Sequence, residues 1–190
     1  MRYTDKQLLD RVEEIGGVIT PNKYLGISVQ NSKDGFNIFD DKFYLFLGDE
    51  FKLVTTITTN PGKNALLEFD KSGNKKGAAV WKTDEFYKNL YSYGLHRGRM
   101  PCLRQVEAIK FYRDNDKDEK AEQQGELYED IIYANFHGVS YDKKSNVIKT
   151  NINGWSYGCQ VCNNMVHYRK IIKAIREHPF KMDYALLAEF

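Results

Sequence analysis

The stretch that most constrains the fold runs from Phe36 to Gly62 and reads FNIFDDKFYLFLGDEFKLVTTITTNPG. Aromatic and β-branched residues dominate it, and these residues favour extended backbone. Turn-forming residues interrupt it at Asp40-Asp41 and Gly48-Asp49, and Asn60-Pro61-Gly62 closes it, which predicts two or three strands. Aromatic residues also make up 14% of the whole chain. We therefore expect an α+β fold that is mostly β.

Helical spacing is visible near both ends of the chain. A helix from Thr4 to about Ile15 is predicted by the capping threonine and by Leu8, Leu9 and Val12, and Gly16-Gly17 should end it. A second helix is predicted over residues 165–177, before Pro179, with Val166, Ile171, Ile172 and Ile175 facing inward.

The middle of the chain gives weaker signals. One or two helical turns are expected at 84–93, strands at 103–112, 131–139 and 182–187, and polar loops at 71–77, 113–130 and 141–151. No internal repeat or linker is visible, and 190 residues suit a single domain.

Charge and hydropathy exclude some classes of protein. The net charge is +2 and the basic residues are interspersed with acidic ones, whereas a nucleic-acid-binding protein usually shows a concentrated basic stripe. No window approaches the roughly 18 apolar residues of a membrane span, and the N-terminal residues lack the apolar run of a signal peptide. Synthesis in the cytoplasm is expected, with another route carrying the protein to any site outside it. Three cysteines, an odd number, indicate a reducing compartment.

The richest chemical signal is NGWSYGCQVCNNMVH, residues 153–167. Cys159, Cys162 and His167 begin like a zinc knuckle, but Ile172 occupies the position of the fourth ligand, so Cys102 or His178 would have to complete the site. Cys-Gln-Val-Cys also has the spacing of a redox dithiol, although the surrounding βαβ pattern is missing. Both interpretations stay open beside a third, in which Cys162 and Cys102 are simply buried.

In a fourth interpretation Cys159 is a nucleophile on a turn. Gly158 allows the backbone to turn tightly, and such a turn aims N–H groups at an oxyanion. A cysteine nucleophile needs a base, and strand alternation in IIYANFHGV puts His137 on the polar face with Tyr133 and Asn135. The alternative for His137 is a histidine whose hydrogen bonds are satisfied at the rim of a sheet. His167 and His178 lie within or beyond the predicted C-terminal helix and are expected to be surface or packing residues.

These residues resemble a known pattern. His137-Gly138, a spacer and Ser156-Tyr157-Gly158-Cys159 resemble the signature of the L,D-transpeptidase catalytic domain of the YkuD type, which is His-Gly, a spacer, then Ser-His-Gly-Cys. The blocks TTITTNPG, YGLHRGRMPCLRQ, FYRDNDKD and WSYGCQV, between residues 55 and 161, resemble a divergent branch common in phages and prophages. The resemblance implies a β-sandwich-like catalytic domain at 18–190 with a helical extension at 1–17.

The resemblance also implies an activity. Such enzymes attack a peptidoglycan stem peptide between an L- and a D-centre, form a thioester on the cysteine, and pass the acyl group to water or an amine without a cofactor. Cys159 would be the nucleophile and His137 the base. The N–H groups of Tyr157 and Cys159, with Gly158, would form the oxyanion hole, and Ser156 would support the loop.

Three departures from the pattern are visible in the sequence. Tyr157 replaces a histidine, Gln160-Val161 replaces an apolar-Arg pair, and the spacing of 22 residues from His137 to Cys159 is longer than usual. The missing arginine removes an expected contact with the substrate.

Two further groups are candidates. His96, Arg97 and Arg99 lie in a glycine-flanked turn. Together with Gly138 they are expected to contact the substrate, and the two arginines would bind a substrate carboxylate. The alternative is that this turn is simply solvated. Gln105 is a further substrate candidate. Asp114, Asp116 and Asp118 begin like a calcium loop, although Glu119 stands where that loop needs glycine and Gly125 where it needs glutamate; the alternative is a solvated acidic loop.

The expected function is therefore cysteine-dependent acyl transfer on peptidoglycan peptides, with hydrolysis slightly favoured, by a phage- or prophage-encoded endolysin or virion enzyme. In such an enzyme Cys159 should have a depressed pKa. The alternative is a phage structural or binding protein with an idle site that contacts other virion proteins. Neither function predicts a nucleic acid or membrane partner.

Overall fold

The structure is a computed structural model that describes residues 3–33, 35–72 and 75–190. Its helices are α1 (Asp5–Glu14), α2 (Lys63–Glu68) and α3 (Met165–Arg176), with a 3-10 turn at Phe69–Ser72. Its strands are β1 (Tyr24–Gln30), β2 (Asp41–Leu47), β3 (Glu50–Thr58), β4 (Ala78–Trp81), β5 (Glu85–His96), β6 (Met100–Gln105), β7 (Ile109–Asp114), β8 (Tyr128–Asp130), β9 (Phe136–Gly138), β10 (Gln160–Cys162) and β11 (Met182–Ala188). The prediction of an α+β, mostly β fold is confirmed.

Eight strands close into a barrel in the order β1-β11-β5-β6-β9-β10-β3-β2, and β4-β7-β8 form a separate sheet. Neighbours are antiparallel except β1 with β11 and β9 with β10, which are parallel. A closed barrel differs from the sandwich-like arrangement that we expected. No described helix has the length and apolar character needed to cross a bilayer.

The strands β1, β2 and β11 are buried on both faces, which suits their high apolar content. On β2, Phe43 and Leu45 face the main core, whereas Tyr44 and Phe46 face a second core under α1. Helix α1 is capped by Thr4, whose hydroxyl accepts a hydrogen bond from the Gln7 N–H at 3.2 Å, as predicted. The N-terminal helix is thus packed onto the barrel as part of the same unit.

Several local predictions are wrong. The segment 84–93, predicted as helical turns, belongs to the long strand β5 from Glu85 onward, and 103–112 divides into β6 and β7. The strand predicted at 131–139 is only β9, because Tyr133 has a left-handed backbone with a φ of 58° that breaks the alternation. The loop predicted at 113–130 ends in strand β8, and Asp41 begins β2 instead of forming a turn. In α3, Val166 is exposed, while Met165 and Tyr168 face the core.

Candidate active site

Two adjacent short strands bring the predicted nucleophile and base together. His137 lies on β9, which pairs in parallel with β10 through Gln160 opposite Phe136 and Val161 opposite His137. Cys159 immediately precedes β10, and the Gln160 N–H donates to the Asn135 carbonyl at 3.1 Å. The sheet register therefore fixes the separation of the two backbones, although 22 residues separate them in sequence.

A third residue joins the pair. The Cys159 Sγ and one ring nitrogen from each of His96 and His137 all lie within 4.8 Å of one another. His96 is the last residue of β5, so three separate segments converge on this point. They open into a cleft of about 350 Å³ lined by His96, Arg97, His137, Tyr141, Gly154, Trp155, Tyr157 and Cys159.

The tautomer of His137 follows from its hydrogen bonds. Its Nδ1 lies 2.8 Å from the Gly138 carbonyl oxygen, which can only accept, so Nδ1 carries the proton in the neutral ring. Its Nε2 is buried and makes no hydrogen bond with the described residues. His137 therefore keeps a ring nitrogen with a free lone pair, as a general base requires.

His96 is held against His137 by stacking and by one polar contact. The two imidazole rings stack with centroids 4.2 Å apart at 29°. The Asn135 side-chain amide lies 3.3 Å from the His96 Nδ1, and a donating amide leaves the His96 proton on Nε2. His96 was expected to contact substrate directly, and the structure adds this contact with the base.

Behind Asn135, a buried glutamine organises the backbone. The Asn135 Oδ1 accepts from the Gln105 N–H at 3.0 Å. The Gln105 Oε1 accepts from the N–H groups of Ile132 and Ala134, and its amide donates to the carbonyls of Glu107 and Asp130. Gln105 is 1% exposed, so the guess that it contacts substrate is wrong; it supports the segment that carries the base.

The turn before Cys159 is fixed from inside the protein. The Ser156 hydroxyl donates to the Cys159 carbonyl at 2.8 Å and accepts from the Gly158 N–H at 3.3 Å, the supporting role expected of it. Gly158 has a φ of 130°, and a Cβ there would lie 2.7 Å from the Ala79 Cβ. The Trp81 indole donates to the Gly158 carbonyl at 2.7 Å. Because Gly158 is tied to Ser156, the available donors are the N–H groups of Tyr157 and Cys159, which bond no other group in the described ranges.

Electrostatics keep the site neutral at rest. Burial raises the pKa of the Cys159 thiol to about 11, opposed by the Asn135 backbone N–H and by Arg97. Burial lowers the pKa of His137 to about 3, helped by His96, while the carbonyls of Gly138 and Trp155 oppose the change. The depressed pKa expected for Cys159 is thus wrong. Its thiol instead donates weakly to the Tyr133 carbonyl at 3.9 Å.

Two cations contact the aromatic rings that line the cleft. The Arg99 guanidinium lies 4.8 Å from the centre of the Tyr141 ring, Tyr141 lies 5.9 Å from Trp155, and the Lys149 ammonium lies 5.0 Å from Trp155. Sequence reasoning did not assign roles to Tyr141, Trp155 or Lys149. Trp155 stands four residues before the cysteine, so its proximity was the available signal.

The structure separates other residues from this cleft. Gly138 is buried and packs beneath α3, where a Cβ would lie 2.6 Å from the Met165 Sδ, so it is not a substrate contact. The Cys162 Sγ lies 3.6 Å from the Thr55 hydroxyl, and the His167 Nδ1 lies 3.1 Å from the same hydroxyl. These contacts do not involve Cys159. The zinc knuckle is therefore not formed. Cys102, Cys159 and Cys162 are free thiols, and Cys102 and Cys162 are buried as expected.

The acidic loop holds its carboxylates apart. Asp116 and Asp118 accept backbone N–H groups two residues onward, and Asp114 accepts the Glu122 N–H at 3.0 Å. Burial raises the pKa of Asp114 to about 6. Within the described ranges, potential metal-ligating atoms from three or more residues converge only at His96, His137 and Cys159. A calcium site at Asp114, Asp116 and Asp118 stays a prediction.

No protein-family model matches the chain, and no curated protein matches its sequence.

Proposed function

We propose that this chain is an L,D-transpeptidase-like enzyme that transfers an acyl group from a peptidoglycan stem peptide through a thioester on Cys159. The observation that carries the proposal is that a ring nitrogen of His137 lies within 4.8 Å of the Cys159 Sγ, while its Nδ1 is held by a carbonyl and its buried Nε2 has no partner among the described residues. A buried polar atom without a partner is costly, and such atoms concentrate where chemistry requires them.

The chemistry follows from these positions. As the Cys159 sulfur attacks the scissile carbonyl carbon, His137 Nε2 takes the thiol proton, and the carbonyls of Gly138 and Trp155 stabilise the imidazolium. The tetrahedral oxyanion accepts from the N–H groups of Tyr157 and Cys159. His137 then protonates the leaving amine, and a thioester remains. Water or an amine attacks the thioester, losing a proton to His137, and the thiol is restored.

The resting pKa values suit this order of events. A neutral thiol beside a neutral imidazole resembles the serine–histidine pair, in which the proton moves during the attack and not before it. Substrate binding must exclude water and turn the thiol from the Tyr133 carbonyl towards His137; such contacts commonly tighten only when substrate is bound.

The cleft favours an anionic peptide. Arg97 lines it, and Arg99 and Lys149 contact its aromatic residues Tyr141 and Trp155, so cations lie in and beside the cleft. Stem peptides carry carboxylates, which Arg97 and Arg99 can bind by charge-assisted hydrogen bonds. We propose a phage or prophage origin and a lytic role, with hydrolysis as the favoured outcome.

The raised pKa of Cys159 favours a second candidate, a phage structural or binding protein on the same fold with an idle site. Mass spectrometry of tetrapeptide and pentapeptide muropeptides incubated with wild type, Cys159→Ala and Cys162→Ala separates the two. Loss of a terminal D-residue or a new cross-link that needs Cys159 but not Cys162 supports the enzyme. No change across several wall chemistries, with folded protein, supports the binding protein.

A further inference from the structure

The arrangement of His96, His137 and Cys159 has a second chemical capacity beside acyl transfer. Two imidazole nitrogens and one thiol sulfur lie within 4.8 Å of one another at the edge of an open cleft. We propose that these three side chains bind Zn²⁺, with the fourth coordination position open to the cleft. No oxygen ligand contributes to the set, so Ca²⁺ and Mg²⁺, which prefer oxygen, are disfavoured.

The spacing requires only a small contraction. Zinc–nitrogen bonds of about 2.0–2.1 Å and zinc–sulfur bonds of about 2.3 Å put tetrahedral ligand atoms roughly 3.3–3.6 Å apart. Each pair of ligand atoms here therefore has to close by about 1.5 Å at most from the 4.8 Å limit. His137 is fixed by the Gly138 carbonyl, and the metal would come to its bare Nε2.

His96 supplies the movement. Its ring must turn out of the stack with His137, because two nearly parallel rings cannot both direct in-plane lone pairs at one ion. His96 ends β5 beside the exposed turn 97–99, where Arg97 has a φ of 49°. A side chain at such a turn can rotate at little cost to the barrel.

The surroundings of His137 and the cleft fit a zinc ligand set. A metal-binding histidine usually donates its other ring N–H to a carbonyl or carboxylate, as His137 Nδ1 does to Gly138. Binding replaces the thiol proton of Cys159, which passes to solvent, while both imidazoles bind as neutral rings. The fourth ligand would be water or an anion from the cleft, and Arg97, which lines the cleft, would balance the charge of an anion.

One consequence rests on the proposed function. Zinc would occupy the sulfur that attacks and the nitrogen that accepts the proton, so bound zinc would block the thioester pathway. Binding itself does not depend on that pathway and is measured separately.

The test is a titration of the reduced 190-residue chain with CoCl₂, a spectroscopic substitute for zinc, followed by displacement with ZnCl₂. We expect one equivalent to give visible d–d bands and a near-ultraviolet thiolate-to-cobalt band, both lost on adding zinc. Cys159→Ala should abolish the thiolate band, and His96→Gln should weaken binding at least about 100-fold, more than the 10–100-fold typical of an outer-shell partner.

Cys162→Ala is the matched control, because it removes a thiol three residues away that bonds Thr55 outside the cleft. Its cobalt spectrum should equal that of wild type. A thiolate band that survives Cys159→Ala, or that needs Cys162, would overturn the proposal, as would the absence of cobalt binding to folded wild type. Circular dichroism establishes that each variant is folded. The histidine variant is made at His96 so that the buried His137 is left unchanged.

Activity then separates the two proposals. Muropeptide turnover by wild type and Cys162→Ala that stops on adding zinc supports both. Turnover that zinc leaves unchanged overturns the metal site alone. A stoichiometric cobalt complex in a protein with no Cys159-dependent turnover supports the metal site and counts against the acyl-transfer function.

Discussion

Two cysteine–histidine pairs lie close together in this sequence, and their surroundings differ in one decisive respect. Around Cys162 and His167 the polar atoms are satisfied, since both contact the Thr55 hydroxyl and Cys162 also contacts the Asn164 carbonyl. Around Cys159 and His137 the base nitrogen has no hydrogen-bond partner among the described residues. The residue types are thus shared, and the difference lies in which pair keeps an unsatisfied buried nitrogen.

The largest expected effect tests this difference directly. Cys159→Ala should remove muropeptide turnover entirely while changing the free energy of unfolding by less than about 1 kcal/mol, because the thiol makes only a weak bond. Cys162→Ala should retain turnover and lose about 1–2 kcal/mol of stability, because its side chain is 0% exposed in the main core. Mass spectrometry measures turnover, and urea unfolding measures stability.

The opposite result would reverse the comparison. If Cys162→Ala abolished turnover in a folded protein, the satisfied pair would be the functional one. Alkylation adds a second readout: with its pKa raised to about 11, Cys159 in the free protein should react slowly at neutral pH and faster as the pH rises.

The next largest effect concerns the turn that presents Cys159. Gly158→Ala should reduce turnover by at least about 100-fold, because the displaced turn loses its oxyanion donors. The free energy of unfolding should also fall by roughly 1–3 kcal/mol, since alanine is strained at a φ of 130° and its Cβ would meet Ala79.

Gly98→Ala is the matched control for backbone strain. Gly98 has a φ of 69°, but a Cβ there meets no atom within 4 Å, so only the conformational cost should appear. Equal destabilisation of the two variants would show that contact with Ala79 does not fix the turn.

The sequence predicted much of this site, and the reasons are local. A glycine before the cysteine and a histidine at the end of a strand pattern are local signals, so Cys159 and His137 could be proposed without the fold, whereas the role of Ser156 was implied by the family resemblance. The stacking of His96 on His137 could not be deduced, since it depends on how the β5–β6 hairpin lies against β9. Pairing between β6 and β9 amounts to one residue pair, Leu103 with Phe136.

The errors in the fold have similar causes. The segment 84–93 carries Asn89, which adopts a left-handed φ of 58° within β5 and interrupts the alternation that identifies a strand. Asp41 was predicted in a turn because aspartate usually marks one. In the barrel its carboxylate accepts from the Asn31 N–H and from the N–H and hydroxyl of Thr59, which satisfies it inside. Both outcomes are set by tertiary contacts.

A smaller effect tests why glycine follows the base. Gly138→Ala should destabilise the protein by about 1–3 kcal/mol, because its Cβ would lie 2.6 Å from the Met165 Sδ and 2.8 Å from Tyr168. Turnover should fall as well, since displacing the Gly138 carbonyl disturbs the His137 tautomer. Gly154→Ala, whose Cβ would have no neighbour closer than 3.7 Å, should change stability by less than about 0.5 kcal/mol. Urea unfolding that gave equal values for the two variants would contradict the packing argument.

The smallest effect is the pH dependence that His96 contributes. Burial lowers the pKa of His96 to about 4, with Arg97 acting in the same direction, so between about pH 4 and the ordinary value of 6.5 the unfolded chain binds more protons. Stability should therefore fall as the pH falls through this range.

Asp41 and Asp114, whose pKa values burial raises to about 7 and 6, act in the opposite sense, so the wild-type curve alone is ambiguous. The difference between wild type and His96→Gln removes the contributions of Asp41 and Asp114 and reports His96 together with its effect on the pKa of the stacked His137. We expect the stability of wild type relative to the variant to decline by about 1–2 kcal/mol from pH 7 to pH 4, after allowance for the solvent exposure of His96. A difference that stayed constant over this range would mean that His96 can become protonated without leaving the stack, and it would weaken the argument that the ring is held neutral against His137.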